Sequence, residues 1–294
     1  VRESFGERLW YFILNVGMLL VSIVTLYPFW HVLMYSLSDP KLAMGGGLFL
    51  WMKGFSLTSY ELLLHSKGIY YAYGNSIFRL VIGTAINIVL TAMLAYPLSI
   101  RRFVGRNFIT LMIFFTMLFS GGMIPTYLIV KELGLIDSIW SLIIPSALSA
   151  WNLIILKNYF QSLPAELEES ANIDGAAPMR ILFSIILPVS GPVIAAIALF
   201  YGVAHWNSYF DAILYINSDA KQVLQVFLRT MLQSSSLQQV QGTDNFAASI
   251  GLVTEESVKM ATVVVSVIPM LIVYPFCKNI TSKASWLDPS KVRF

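Results

Sequence analysis

The sequence predicts an all-α integral membrane protein of about six transmembrane helices, and three observations carry that reading. Of its 294 residues 57% are apolar and only 12% charged, with a mean hydropathy of +0.71, far from the composition of a water-soluble domain. Apolar runs recur at lengths that cross about 30 Å of hydrocarbon. Lysine and arginine are spread unevenly among the connections, as topology requires. Spans of about 20 residues plus connections use up the chain, so residues 1–294 are expected to form one membrane domain with no separate soluble part.

Taken in order, the first apolar run, Trp10 to Leu37, is too long for a signal-peptide core and has no small-residue cleavage site, so it is expected to stay as a helix. The spans are placed near 10–37, 75–100, 108–130, 139–160, 181–204 and 258–280. Pro28, Pro97, Pro145, Pro188, Pro192, Pro269 and Pro275 lie inside or beside them. Bilayer helices tolerate proline where neighbours or a cavity satisfy the freed carbonyls, so kinked helices around a pathway are expected. Two outer connections are substantial. Residues 38–74 contain Gly45-Gly46-Gly47 and several aromatics, and 205–257 contain Gln222, Gln225, Gln233, Gln238, Gln239 and Gln241.

With a cytoplasmic N-terminus, the inner connections carry Arg2, Arg8, Arg101, Arg102, Arg106, Lys157, Arg180, Lys278, Lys283, Lys291 and Arg293, eleven cations. The outer ones carry Lys41, Lys53, Lys67, Lys131, Lys221, Arg229 and Lys259, seven cations, with Arg79 near an interface. This asymmetry favours both termini inside. The net charge of +3 gives no basic stripe for nucleic acid. Cys277, the single cysteine, excludes a disulfide within the chain and reads as a buried inert thiol. No internal repeat is evident, which weighs against an inverted-repeat transporter. His31, His65 and His205 are scattered without paired acids, so no metal site is expected, and Met112, Met117 and Met123 read as packing. Lys131, Glu132 and Asp137 read as a solvated loop.

The most informative stretch joins the fourth and fifth spans, from Leu163-Pro164 to Gly175-Ala176-Ala177. Pro164 opens a short helix, Glu166, Glu168 and Glu169 sit where the helix dipole favours negative charge, and Gly175 stops it. Its apolar positions are Leu167, Ala171 and Ile173. Small residues there let another surface approach, as a docking helix needs, although an ordinary amphipathic interfacial helix fits the same pattern.

The run Glu169-Ser170-Ala171-Asn172-Ile173-Asp174-Gly175, followed after nine residues by Ile185 and then Leu187-Pro188, closely resembles the EAA signature of permeases in binding-protein-dependent ABC importers. Asn75-Ser76, Gly121-Gly122-Met123-Ile124-Pro125-Thr126-Tyr127, Trp206-Asn207-Ser208-Tyr209-Phe210 and Lys259-Met260-Ala261-Thr262 extend it to the carbohydrate branch, with the maltose-type G subunit and its oligosaccharide-importer relatives. Coverage runs from about residue 10 to 280. Two departures are Ser170 in place of the usual first alanine and a tail, Lys278 to Phe294, without the usual glycine-rich ending.

The resemblance implies a type I ABC importer permease fold, with a cytoplasmic coupling helix at 164–176 whose Glu169, Ser170, Ala171, Asp174 and Gly175 dock on an ATPase. It implies a permease subunit of the bacterial cytoplasmic (inner) membrane that works by alternating access. The partners would be a second permease subunit in a heterodimer, two ATPase subunits and a soluble solute-binding protein that delivers a sugar or oligosaccharide. Such a chain is not an enzyme and binds no cofactor itself. ATP and Mg act on the partner ATPase, in keeping with the lack of a G-x-x-x-x-G-K-[ST] phosphate loop in this sequence.

For the substrate pathway, aromatic rings beside amide or carboxylate groups are the pattern that holds sugars. Trp151, Asn152, Trp206, Asn207, Tyr209 and Asp211 fit in composition, and Asn87 is a polar group inside hydrocarbon. Trp and Tyr near span ends also serve as interface anchors, and Asn87 could simply bond across helices. Close relatives of the resembled branch serve fragments of acidic polysaccharides, including alginate oligosaccharide. Arg79 is the one cation placed near a span's outer half that would suit such cargo. The alternatives are a permease for a non-sugar solute and an ion-coupled secondary transporter. The latter would need intramembrane acids, and the central spans have almost none, which counts against it.

Overall fold

The computed structural model describes residues 5–233 and 253–284, with Phe5 and residues 273–284 described by backbone alone. Gln238, Gln239 and Gln241, the side chain of Cys277 and the tail after Ala284 lie outside the described residues. Among the described residues every regular element is helical, and the one strand-like contact is an isolated bridge between Ser38 and Phe55. The helices are α1 (Phe5–Ser36), α2 (Thr58–His65), α3 (Lys67–Ser99), α4 (Arg106–Leu118), α5 (Met123–Glu132) and α6 (Ala150–Ser162). There follow α7 (Glu166–Ile173), α8 (Pro178–Val189), α9 (Gly191–Asn207), α10 (Phe210–Tyr215), α11 (Leu224–Gln233) and α12 (Glu255–Ala284). The chain forms two compact units, one of residues 1–69 and 228–268, the other of 70–227 and 269–294.

In the first unit α1 is long and apolar enough to cross a membrane, and none of its apolar window is buried. Such a surface is stable only against lipid or another protein. At its end the loop that follows folds back. Phe49 is buried beside the rings of His31 and Tyr35, at centroid distances of 5.4 and 4.8 Å. The Tyr35 hydroxyl donates to Glu256 Oε2 of α12 at 2.8 Å.

The second unit is built on α3, which packs most extensively against α6. Ala92 and Ala95 of α3 let the backbones come close. Around them a buried cluster gathers Tyr96, Leu156, Phe160, Ile181, Leu182, Ile186, Ile197 and Tyr201, together with Ala171 of α7.

The apolar runs read from the sequence are not all straight rods. Run 108–130 breaks after α4, and α5 turns by 113°. The cause is local, because Gly122 takes φ +89°, a conformation that a side chain would oppose. Run 139–160 bends by 50° where the 3-10 turns around Pro145 meet α6, and run 181–204 bends by 88° between α8 and α9. Pro188 and Pro192 flank that last bend, where missing backbone donors loosen the helix. Lys157, counted above among the inner connections, lies within α6 and is only 8% exposed.

Candidate functional site

Two features of the second unit carry possible function: a polar cavity among the helices, and the short helix α7 near the end of the unit marked by Arg101, Arg102 and Arg106.

The cavity has a volume of about 480 Å³ and is lined by residues of α3, α6, α9 and α10, among them Arg79, Asn87, Trp151, Asn152, Tyr201, His205 and Asp211. That volume lies in the range of small-ligand sites. Arg79 opens a π-helical turn, Arg79–Gly83, within α3, and such turns often mark functional positions. It is 2% exposed and ion-paired to Asp211, and its Nη1 also donates to the Ser208 carbonyl at 3.2 Å. Asp211 is held in turn by the Ser208 hydroxyl at 2.8 Å and the Ala212 N–H at 2.9 Å. Four residues after Arg79, Gly83 lies against the imidazole of His205, so close that a Cβ there would sit 2.7 Å from Nε2.

Asn87 is 1% exposed. Twelve residues of α3 separate it from Ser99, about 18 Å along the axis, which places it well inside the hydrocarbon thickness. Its Nδ2 donates to the Ser146 carbonyl and to His205 Nε2, both at 3.2 Å. A carbonyl can only accept, so the amide orientation is fixed, and the proton of a neutral His205 ring falls on Nδ1. Asn87 Oδ1 and Arg79 Nε are buried without a protein partner. Deeper in the wall, the Tyr201 hydroxyl meets Thr91 Oγ1 at 2.7 Å and receives the Ser149 N–H at 3.0 Å.

The structure therefore brings Asn87, Trp151, Asn152 and Asp211 together at one cavity. Trp206, Asn207 and Tyr209 do not line it. Trp206 is buried with its ring 6.3 Å from that of Tyr73, and Asn207 is exposed. Arg79, read as a cation available to cargo, is neutralised by Asp211. His205, read as an isolated histidine, is a wall of the cavity. The missed signal was helical spacing, since Tyr201, Ala204, His205 and Ser208 recur at i, i+3, i+4 and i+7 along one face.

Asp137 departs from the solvated loop expected of it. Its carboxylate accepts from the Ser218 hydroxyl at 2.6 Å, from Lys221 Nζ at 2.9 Å, and from the Ser218 and Asn217 N–H groups. These bonds, the Ser218 hydroxyl foremost, hold its pKa well below the usual carboxylate range.

At the other feature, α7 begins without a side-chain cap and carries Glu166, Glu168 and Glu169 in its first turn. Glu169, Ser170, Asp174 and Gly175 are exposed, and Ile173 is 86% exposed. Ala171 alone of the docking set turns inward, into the buried cluster that also contains Tyr201. Its part is to seat α7 on the bundle. Gly175 ends the helix at φ +75°, and Glu168 faces Arg102 at 3.6 Å.

Bent apolar helices around a polar cavity, with a charged helix presented beside them, are the parts a transport permease needs. Residues 68–286 match the family described as binding-protein-dependent transport system inner membrane component, and the chain belongs to that family. It is 43% identical over 285 residues to the polygalacturonan/rhamnogalacturonan transport system permease protein YtcP of Bacillus subtilis strain 168, covering 97% of this chain and 99% of that one. It is 42% identical over 271 residues to the protein LplC of the same organism, covering 92% and 91%. Among solved structures it resembles a chain of a bacterial ABC transporter involved in the import of the acidic polysaccharide alginate. The TM-score is 0.87 at 32% identity, over 95% of this chain and 99% of that one. The fold is that of a type I ABC importer permease. Family membership sets aside the ion-coupled alternative.

Proposed function

We propose that this chain forms half of the translocation pathway of an ATP-driven importer for oligosaccharides released from an acidic polysaccharide. It pairs with a second, related permease. Two ATPase subunits hold ATP and Mg and do the hydrolysis, and a soluble binding protein delivers the cargo. Both termini and α7 face the cytoplasm, by the Lys and Arg asymmetry. Relatives named for polygalacturonan and for alginate support the cargo class.

The observation that carries this reading is Tyr201, which lines the cavity and also belongs to the packed cluster that seats Ala171 of α7. A displacement of α7 by a closing ATPase pair would therefore be felt at the cavity wall through contiguous, close-packed side chains. Within the cavity the Asn152 amide suits a sugar hydroxyl, and the Trp151 ring suits the C–H face of a pyranose. Because Asp211 already neutralises Arg79, the chain receives an acidic sugar mainly through neutral donors. Exposed Glu169 would meet a cationic side chain of the ATPase.

The test is ATP hydrolysis by the reconstituted complex, with and without oligosaccharide-loaded binding protein. Loaded binding protein is expected to stimulate hydrolysis in the wild type and not in Glu169→Lys. Stimulation that survives charge reversal would remove Glu169 from the dock.

A further inference from the structure

We propose that the chain carries a binding site for the phosphate of an anionic phospholipid headgroup, built from Arg106 and Lys157 where α4 and α6 approach the membrane surface.

The starting point is a pair of cations without a counter-charge. Lys157 is 8% exposed, and its ammonium meets the uncharged Thr110 hydroxyl at 3.4 Å. The Arg106 guanidinium lies near enough to repel it, and Arg106 Nε is buried with no protein partner. Among the described residues the ion pairs are Arg79–Asp211, Arg102–Glu168, Lys221–Asp137 and Lys259–Glu255. Neither Arg106 nor Lys157 takes part in one. A buried ammonium beside a half-buried guanidinium whose Nε is shielded from water is unfavourable unless an anion joins them.

Depth and surroundings say which anion. Arg106 is the first residue of α4 and Thr110 lies about 6 Å further along it, while Lys157 lies about 8 Å before the end of α6. Arg106 thus sits at its helix end and Lys157 one to two turns inside its own, the depth at which a spanning segment meets the headgroups. Exposed Arg101 and Arg102 add positive charge at the same end. No residue of α4 is buried, and Phe108 and Leu111, 67% and 66% exposed, offer an apolar flank for acyl chains directly beside the cations. Basic pockets between transmembrane helices at the membrane surface favour phospholipid headgroups on these grounds. Glu168 and Glu169 line the same hollow as Arg106, with Glu168 engaged by Arg102, and neither lies within ion-pair distance of Arg106 or Lys157.

The proposal rests on the membrane setting of the chain and not on its cargo. To test it, the full permease complex is placed in nanodiscs of phosphatidylcholine with a minor fraction of phosphatidylglycerol, and the lipid that stays bound on release is counted by native mass spectrometry. Wild type is expected to enrich phosphatidylglycerol. Lys157→Gln or Arg106→Gln should each lower the enrichment roughly fivefold and the double variant roughly twenty-fivefold, while Arg106→Lys retains it. No enrichment in wild type, or the same enrichment in the double variant, overturns the site. Displacement of the lipid by millimolar inorganic phosphate would make it a free-phosphate site and overturn the lipid assignment. Should the variants not assemble, photoactivatable phosphatidylglycerol on wild type decides. Crosslinks in the peptides around 106–111 and 153–157 support the site, and crosslinks confined elsewhere overturn it.

Discussion

The cavity and α7 belong to the same unit yet are built in opposite ways. At the cavity, Arg79, Asn87, His205 and Asp211 are drawn from helices far apart in sequence, and Arg79 and Asn87 are almost wholly buried. At α7, eight consecutive residues supply nearly every feature, and most of their side chains are exposed. Under the proposed function the difference separates two requirements. A pathway wall must be rigid and must exclude wrong solutes, so its polar groups are locked by tertiary bonds. A dock must remain free to meet a partner, so it holds to its own bundle through little more than Ala171.

Substitutions should expose this contrast. The largest effect on stability is expected from Arg79→Met, which leaves the partly buried Asp211 without its cation at a cost of about 3 kcal/mol. The loss would appear as a lower melting temperature of the purified complex. Replacing both partners, Arg79→Met with Asp211→Leu, should recover most of that loss, and failure to recover would show that Arg79 acts through something other than the pair. Next in size is Gly83→Ala, whose methyl group collides with His205 and should cost about 1–3 kcal/mol. His205→Ala in the same chain should relieve it, a coupling readable by a double-mutant cycle.

A smaller effect belongs to Asp137. Its folded pKa is depressed, so its contribution to stability is complete above the unfolded value, near 3.9, and is lost only as pH falls toward the folded one. The melting-temperature gap between wild type and Asp137→Asn should stay constant from about pH 7 to about pH 5 and narrow below about pH 4. A gap that widened on acidification would refute the assignment. The smallest effect on stability is expected from Glu169→Lys on exposed α7, within about 0.5 kcal/mol, even though the same change is expected to remove stimulated ATP hydrolysis. A large loss of stability there would mean that α7 is part of the core.

The same contrast explains what could be read from the sequence. Helix α7 was legible because its signals are local: Pro164 before it, acids in its first turn, and Gly175 after it. The spanning runs were legible from their apolar length. The bends were only partly so, because a run of hydropathy records depth and not direction, and Gly121-Gly122 inside 108–130 was read as part of a signature and not as a corner. The Arg79–Asp211 pair joins residues 132 apart, and nothing local in either segment names the other. That Trp206 stays off the cavity wall was hidden for a related reason. Its face of α9 turns toward Tyr73, whereas the neighbouring His205 faces the cavity, and adjacent residues on a helix point about 100° apart.

The π-helical turn at Arg79–Gly83 also bears on how the length of this chain can vary. A π turn takes in an extra residue relative to the α-helix on either side. Loss of one residue within it would restore a regular α-helix and leave the two halves of α3 close to their present phase, whereas loss of one residue between Gly83 and Asn87 would turn Asn87 by about 100° against Arg79. Asn87 would then leave His205 and the Ser146 carbonyl. Deletions are commonly best tolerated in loops, but here the reading frame of a single membrane helix fixes how Arg79 is phased against Asn87.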